Sequence, residues 1–265
     1  MKIGIIGLGV VGSAVANGLR KIGHKVVPHD LILKSKIDNL LDTSAIFVCV
    51  PTPSNEDGSC NTSIVEEVLE DLNNLNYEGV VAIKSTVVPG TTESLAKVHK
   101  SLSLCFVPEF LRERCAEIDF IENHDLCVIG TEDKEVFQLI KEAHGNLPRN
   151  VVMLSRTEAE LVKYFNNVYN STLITFANSF YEICQKTDSD YSKVKNAVVL
   201  RDHINDQYLD CNDNFRGFGG VCLPKDTKAL SYLSKQLKID NNFFQTLIDI
   251  NNKLKITVYE GMRDE

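Results

Sequence analysis

Met1-Lys2-Ile3-Gly4-Ile5-Ile6-Gly7-Leu8-Gly9-Val10-Val11-Gly12 opens the chain, and this stretch decides how the fold is read. Lys2–Ile6 is a short apolar run of the kind that forms a buried strand. A helix-like pattern over Val11–Ile22 follows at once, so the three glycines fall where a strand turns into a helix. Gly7 permits the tight turn, Gly9 lets the backbone approach a pyrophosphate, and Gly12 lets the helix pack closely on the strand. The helix start at Val10 and Val11 offers free amides to phosphate. Asp30 ends the second strand pattern, 23 residues after Gly7. That is near the spacing of roughly 20 residues expected of a ribose-binding acid. A carboxylate there accepts from the ribose 2′-OH and repels a 2′-phosphate, so NAD is the expected cofactor rather than NADP.

Outward from this start, short apolar runs alternate with amphipathic segments. Strands are predicted at Lys2–Ile6, Lys25–Val27, Ala45–Val50, Gly79–Ile83, Leu104–Phe106 and Leu126–Ile129. Helices are predicted at Val11–Ile22, Ser63–Leu72, Thr92–Leu102 and Lys134–Ala143. Alternation of this kind implies parallel βαβ units, and runs such as Ile46-Phe47-Val48-Cys49-Val50 suit a sheet covered on both faces. The texture changes near Asn150. After one short apolar run, Val151–Leu154, neither Gly nor Pro interrupts Thr157–Gln185, and apolar residues recur at helical spacing. One long helix is expected there, opened by a capping box from Thr157 to Glu160. A glycine-rich loop at 215–225 and a last helix over about 242–262 complete the pattern. The fold class is therefore α/β: a Rossmann-type doubly wound sheet in residues 1–155, then an all-helical domain with a long central helix in 156–265.

Composition sets the outer limits. The 265 residues carry a formal net charge of −8, with 43% hydrophobic and 24% charged residues. A chain so acidic lacks the basic footprint of a nucleic-acid binder, so any anionic ligand must be held by local amides or cations. No apolar run nears the roughly 20 residues needed to cross a membrane. The N-terminus enters a strand directly and lacks the layout of a signal peptide. The eight cysteines form no CxxC pair. This argues for a reducing cytoplasm and against a zinc site, and no metal is expected.

Four further segments carry chemistry. They are Val50-Pro51-Thr52-Pro53 followed by Asp57-Gly58; Ser85-Thr86-Val87-Val88-Pro89-Gly90-Thr91; Val107-Pro108-Glu109-Phe110-Leu111-Arg112-Glu113; and Gly217-Phe218-Gly219-Gly220-Val221-Cys222-Leu223-Pro224-Lys225-Asp226. With Glu160-x-x-Lys163-x-x-x-Asn167 and the opening glycines, they form an ordered set that resembles the UDP-glucose/GDP-mannose dehydrogenase family. The resemblance runs from Met1 to about residue 255.

The resemblance implies oxidation of a nucleotide sugar's C6 alcohol to a carboxylate, with UDP-glucose to UDP-glucuronate as the default, and two NAD reduced. Cys222 matches the family's nucleophile, which holds the aldehyde carbon as a thiohemiacetal and then a thioester. Glycine amides and Lys225 beside it suit a thiolate. Lys163 and Asn167, at i and i+4, share a helix face and match groups that stabilise a developing oxyanion. Asp226 and Thr86 match residues placed to hold a water, with Asp226 or Lys163 exchanging protons with the substrate. Glu109 matches the glutamate of thioester hydrolysis, and Glu113 one near the reactive end of the cofactor. The same resemblance places Pro51, Thr52 and Thr86 on the cofactor. It places Glu109, Phe110, Leu111, Lys163, Asn167, Phe215, Gly219 and Cys222 on the sugar nucleotide. Read blandly, Thr86 caps a turn and Glu113 pairs with a nearby arginine.

The pattern also breaks. His203 stands where the family commonly has an arginine that reaches a neighbouring subunit's substrate; Arg201 and Arg216 are alternative candidates for that contact. Asn178-Ser179 stands where Asn-Glu is usual. The family's usual C-terminal nucleotide-binding domain is expected to be absent. Three readings stay open: a four-electron dehydrogenase; a catalytically weak module that binds NAD or nucleotide sugar and needs a partner subunit; and a two-electron hydroxyacid-type dehydrogenase on the same plan, which needs no cysteine nucleophile. A homodimer is expected through the long helix at about 157–185, because Tyr164, Phe165, Tyr169, Phe176, Phe180 and Tyr181 make it apolar on more than one face.

Overall fold

The computed structural model describes residues 1–254. The part of the predicted last helix that falls on 255–262 lies outside the described residues. The chain divides into two compact units. One comprises Met1–Pro53 with Cys60–Lys163, the other Ser54–Ser59 with the chain from Tyr164 on.

The first unit is built on a seven-stranded sheet in the order β2-β1-β3-β4-β5-β6-β7. The strands are β1 (Lys2–Ile6), β2 (Lys25–His29), β3 (Ala45–Val48), β4 (Val80–Ile83), β5 (Ser103–Phe106), β6 (Leu126–Gly130) and β7 (Asn150–Leu154). Pro28 has no N–H to give a ladder, and β2 accordingly lies at the sheet's edge. Side chains alternate between two apolar layers with the period of 2 that a pleated strand imposes. Ile3, Ile5, Ala45, Phe47 and Ala82 face one layer with Val15 and Leu19 of α1 (Val10–Lys21) and Ile140 of α5 (Lys134–His144). Ile6, Ile46, Val48, Val81 and Ile83 face the other, with Val65, Leu69 and Leu72 of α2 (Ser63–Asn74) and Leu95 of α3 (Thr91–Val98). Burial on both faces explains why these strands read as continuous apolar runs.

Pairing is parallel except between β5 and β6, which meet antiparallel at Phe106 and Gly130. Uniformly parallel βαβ units are thus not what forms here. The link after β5 holds a single 3-10 turn (Glu113–Cys115) and the six-residue α4 (Ala116–Ile121). This helix packs on α1, where a Cβ on Gly18 would strike the Phe120 ring at 2.3 Å. The chain therefore re-enters the sheet in the opposite sense.

The long helix is real: α6 covers Arg156–Lys186. Its capping box, however, lies two residues earlier than Thr157–Glu160. Ser155 donates its N–H (2.8 Å) and hydroxyl (2.7 Å) to the Glu158 carboxylate, and Glu158 N–H returns a bond to Ser155 Oγ. Glu160 serves another helix. Its fully buried carboxylate accepts from Gly90 N (2.5 Å) and Thr92 N (2.7 Å), capping α3, whose Gly90 cap has no side chain of its own. Ala159 and Val162 join the second apolar layer of the sheet, so the start of α6 belongs with the first unit.

The second unit is helical. Ala177, Tyr181 and Cys184 of α6 pack with Tyr191 of α7 (Tyr191–Val198) and with Leu209 and Cys211. The helices α8 (Cys222–Gln236) and α9 (Phe243–Asn251) follow. Along α6, Phe165 (75% exposed), Tyr169, Phe176, Phe180 and Ile183 form an exposed stripe, while Tyr164, Val168 and Tyr181 on other faces are buried. Cys49, Cys105, Cys115, Cys127, Cys184 and Cys211 are free thiols.

Candidate active site

The glycine turn sits at the C-terminal ends of β1 and β3, the point where strand order reverses and where open α/β sheets bind ligands. Gly7 has φ of +87°, and a Cβ there would meet the Cys49 carbonyl at 2.7 Å. A Cβ on Gly12 would overlap the Gly7 carbonyl at 1.8 Å. Gly9 is different: its Cβ would meet nothing within 4 Å, so its backbone faces open space. No side chain caps the start of α1 and no acid lies in its first turn. The amides of Val10, Val11 and Gly12 are therefore available to an anion.

Asp30 accepts from Leu8 N (2.7 Å) and Ile32 N (2.9 Å). Those amides, Leu8 first, hold its carboxyl below the ordinary aspartate value. This fits NAD: one open glycine backbone at a bare helix start, and beside it an ionised acid pinned to the same turn. Thr52 donates to the Thr86 carbonyl (2.7 Å), tying the segment after β3 to the segment after β4, with Pro51 exposed next to it. Glu113 is exposed and lines a cavity of about 300 Å³ with Val10, Ser13 and Ala14 of α1. The neighbouring arginine, Arg112, gives its guanidinium to Asp119 at 2.6 Å.

Glu109 is a hub. It follows β5 and is 6% exposed. Its carboxylate meets the ammonium of Lys84 at 3.0 Å and accepts from the Phe110 amide at 3.0 Å. Its backbone carbonyl accepts from Lys163 Nζ at 2.5 Å, and Lys163 lies 5.6 Å from the centre of the Phe110 ring. Glu109, Phe110 and Lys163 are thus brought together, while the half-buried Leu111 turns into the sheet's apolar layer. Lys84 escaped sequence reading although it directly precedes Ser85-Thr86. A lysine at a strand end ordinarily reads as solvated surface, and only burial distinguishes this one.

In the second unit the glycine loop runs to Val221, and Cys222 is the first residue of α8 rather than part of a longer loop. Pro224 lies in the first turn of α8, where its missing N–H costs nothing. Cys222 is exposed, whereas Cys105, Cys127, Cys184 and Cys211 are buried. Free amides at a helix start favour an anionic sulfur. One turn along, Asp226 (1% exposed) accepts from Asn167 Nδ2 at 2.6 Å and pairs with Lys225 at 2.7 Å.

The loop is held by two buried asparagines. Asn178 Oδ1 accepts from Arg216 Nε (2.7 Å) and Gly217 N (3.2 Å). Asn251 brackets Phe218, accepting from its N–H (2.7 Å) and donating to its carbonyl (2.9 Å). The sequence offered no signal for Asn251. Arg216 also bonds Glu182 and lies over the Tyr181 ring, so it is committed within its own unit. Arg201 and His203 are exposed, as is Phe215; Gly219 is half-buried. Among the described residues, no group of three or more His, Cys, Asp or Glu could hold a metal, and no helix is long and apolar enough to cross a membrane.

Comparison with known proteins finds a match in each unit. Residues 31–147 match the NAD binding domain of the UDP-glucose/GDP-mannose dehydrogenase family, and residues 157–253 match that family's central domain. The chain belongs to the UDP-glucose/GDP-mannose dehydrogenase family. Its cofactor is NAD. UDP-glucose 6-dehydrogenase AglM of Haloferax volcanii is 29% identical over 305 residues, spanning 95% of this chain and 70% of that relative. GDP-mannose 6-dehydrogenase of Pseudomonas aeruginosa is 28% identical over 302 residues, spanning 95% and 68%. A solved UDP-glucose dehydrogenase from Pyrobaculum islandicum superposes with a TM-score of 0.85 at 27% identity, covering 95% of this chain and 68% of that one. The matched family model starts after the glycine turn and Asp30, so those residues rest on their own geometry.

Proposed function

We propose that this chain catalyses the NAD-dependent four-electron oxidation of a nucleotide sugar's C6 alcohol to the carboxylate, with UDP-glucose as the substrate. The observation that carries the reading is Cys222, solvent-exposed at the start of α8, with Asp226 one turn along the same helix and bonded to Asn167 of α6. Bound NAD supplies the electron acceptor for each oxidation. The protein's own groups do the rest. Lys163 and Asn167 stabilise negative charge on the substrate oxygen. Asp226 or Lys163 exchanges its proton, and Thr86 with Asp226 holds a water. The Cys222 thiolate adds to the aldehyde carbon and retains the acyl group as a thioester. In the last step a water oxygen bonds to the acyl carbon, the C–S bond breaks with its electron pair leaving on Cys222 sulfur, and the Glu109 carboxylate takes the water's proton. Phe110, Phe215 and Gly219 line the sugar nucleotide, with Leu111 behind them in the apolar layer, and Pro51, Thr52 and Glu113 line the cofactor.

Relatives that act on UDP-glucose and on GDP-mannose match at nearly equal identity, so both sugars belong in the assay. The test counts NADH per product formed from each nucleotide sugar. Two NADH per uronate, and no uronate from Cys222→Ser, is the expected result. One NADH per product would mean a two-electron enzyme without a covalent intermediate. None would mean a binding module that depends on a partner subunit.

The exposed stripe Phe165, Tyr169, Phe176, Phe180 and Ile183 supports a homodimer through α6, one copy's stripe covering the other's. Light scattering at micromolar concentration should give twice the 29.6 kDa chain mass, and a single-chain mass would remove the dimer.

A further inference from the structure

Glu109 and Glu160 are both buried glutamates of the first unit, and the difference between them isolates the part played by Lys84. Glu160 accepts two backbone N–H bonds, yet burial outweighs them and its carboxyl lies above the ordinary glutamate value. Glu109 accepts one, from Phe110, and burial pushes it up as well. Its carboxyl nevertheless lies below the ordinary value, because the Lys84 ammonium stands 3.0 Å away.

Apart from Lys163, which holds the Glu109 carbonyl, several titratable groups and two rings neighbour this pair. Cys49 follows β3 and Cys127 lies on β6; burial pushes both thiols up to about 12, so both are neutral. His124, before β6, and His144, ending α5, are lowered by burial, His144 to about 3, so both are neutral near pH 7. The Phe47 and Phe120 rings lie 5.7 Å and 6.0 Å from Lys84 Nζ. Within this set, Lys84 and Glu109 alone carry charge. The Lys84 side chain is 1% exposed, so it cannot meet a substrate in solution. Its one evident task is to hold the carboxylate beside it.

We propose that Lys84 is a positioning residue for thioester hydrolysis, fixing the Glu109 carboxylate through their buried ion pair so that it receives the proton of the attacking water. This rests on the role of Glu109 given above. Without the cation, burial acts unopposed, the carboxyl takes up a proton, and it can no longer accept one from water. The Lys163 contact to the Glu109 carbonyl does not involve the carboxylate, so the oxidation steps keep their geometry.

The test compares Lys84→Met, Lys84→Arg and the double variant Lys84→Met/Glu109→Gln. In single turnovers with NAD and UDP-glucose, Lys84→Met should acylate Cys222 at close to the wild-type rate. It should then hydrolyse the adduct about tenfold or more slowly near pH 7, the factor that one unit of pKa carries. Its hydrolysis rate should rise toward wild type at higher pH, and Lys84→Arg should recover part of the loss. Equal slowing of both steps with an unchanged pH profile would be a structural effect and would overturn the proposal.

A second readout needs no activity. The infrared difference between wild type and the double variant isolates the Glu109 carboxyl band. That band should be ionised near pH 6 in wild type and protonated in Lys84→Met. A protonated band in wild type, or an ionised one in Lys84→Met, would overturn the proposal even if no uronate is ever formed. Absence of uronate from wild type with the expected infrared result would instead sink the functional reading and leave the ion pair standing. If Lys84→Met does not fold, the wild-type band still decides, and the double variant should fold because it removes both charges.

Discussion

The two glycine turns, Gly7–Gly12 and Gly217–Gly220, do similar work by different means. The first is held by its own backbone. Gly7 and Gly12 admit no Cβ because carbonyls lie 2.7 Å and 1.8 Å from where it would be, and Gly7 N bonds the His29 carbonyl. The second is held by side chains from elsewhere in the chain, Asn178 on α6 and Asn251 at the end of α9. A turn locked by backbone sterics writes its constraint into adjacent residues. A turn locked by distant amides needs ordinary asparagines whose importance is visible only once the helices have packed. The first suits a cofactor that approaches the backbone closely. The second presents Cys222 at a helix start.

Three variants sharpen this contrast, ranked by their cost to folding. Gly12→Ala should cost the most, about 3 kcal/mol or more, because the obstacle is a backbone carbonyl that cannot turn aside. Urea unfolding and calorimetric NAD titration should show loss of stability and of cofactor binding together. Normal NAD affinity in this variant would contradict a backbone-locked turn. Asn251→Ala comes next. It strands the buried N–H and carbonyl of Phe218, at roughly 1–3 kcal/mol per group. NAD affinity should hold while Cys222 alkylation by a neutral reagent changes rate; unaltered stability and alkylation would show that the second loop holds itself.

Asp30→Asn should cost least, below about 1 kcal/mol, because the carboxylate is partly open to solvent and screened. The effect worth measuring is its dependence on pH. The folded carboxyl is depressed, so its stabilisation is present above the unfolded aspartate value of about 3.9 and is lost as pH falls through the folded value. Asp30→Asn should lose this acid-side slope and bind NADP better relative to NAD. An unchanged NAD-to-NADP ratio would take the ribose contact away from Asp30.

Much of the first unit could be read from adjacent residues. Every predicted strand is present within a few residues, because two-sided burial demands continuous apolar runs, and the glycine turn declares itself by spacing alone. The same local logic misled where two partners competed for one glutamate. Thr157-x-x-Glu160 has the form of a capping box, yet Ser155 and Glu158 form the box, and Glu160 reaches across to cap α3. Sequence spacing cannot say which helix start a long side chain will serve. The antiparallel meeting of β5 and β6 was hidden for a related reason, since it depends on where the short α4 finds a surface to pack.

Local sequence sets the alternation that builds the sheet, the long helix and the cofactor turn, because each is a constraint between near neighbours, and the order of the motifs along the chain marks the family. Which polar groups share a burial site emerges from packing alone. Lys84 and Glu109 are 25 positions apart (109 − 84), and Asn251 and Phe218 are 33 apart. Lys84, Glu109 and Asn251, each taken alone, resemble solvated surface. Burial makes a lone charge or amide costly, so the fold pairs them, and the pairing exists only where packing has removed water.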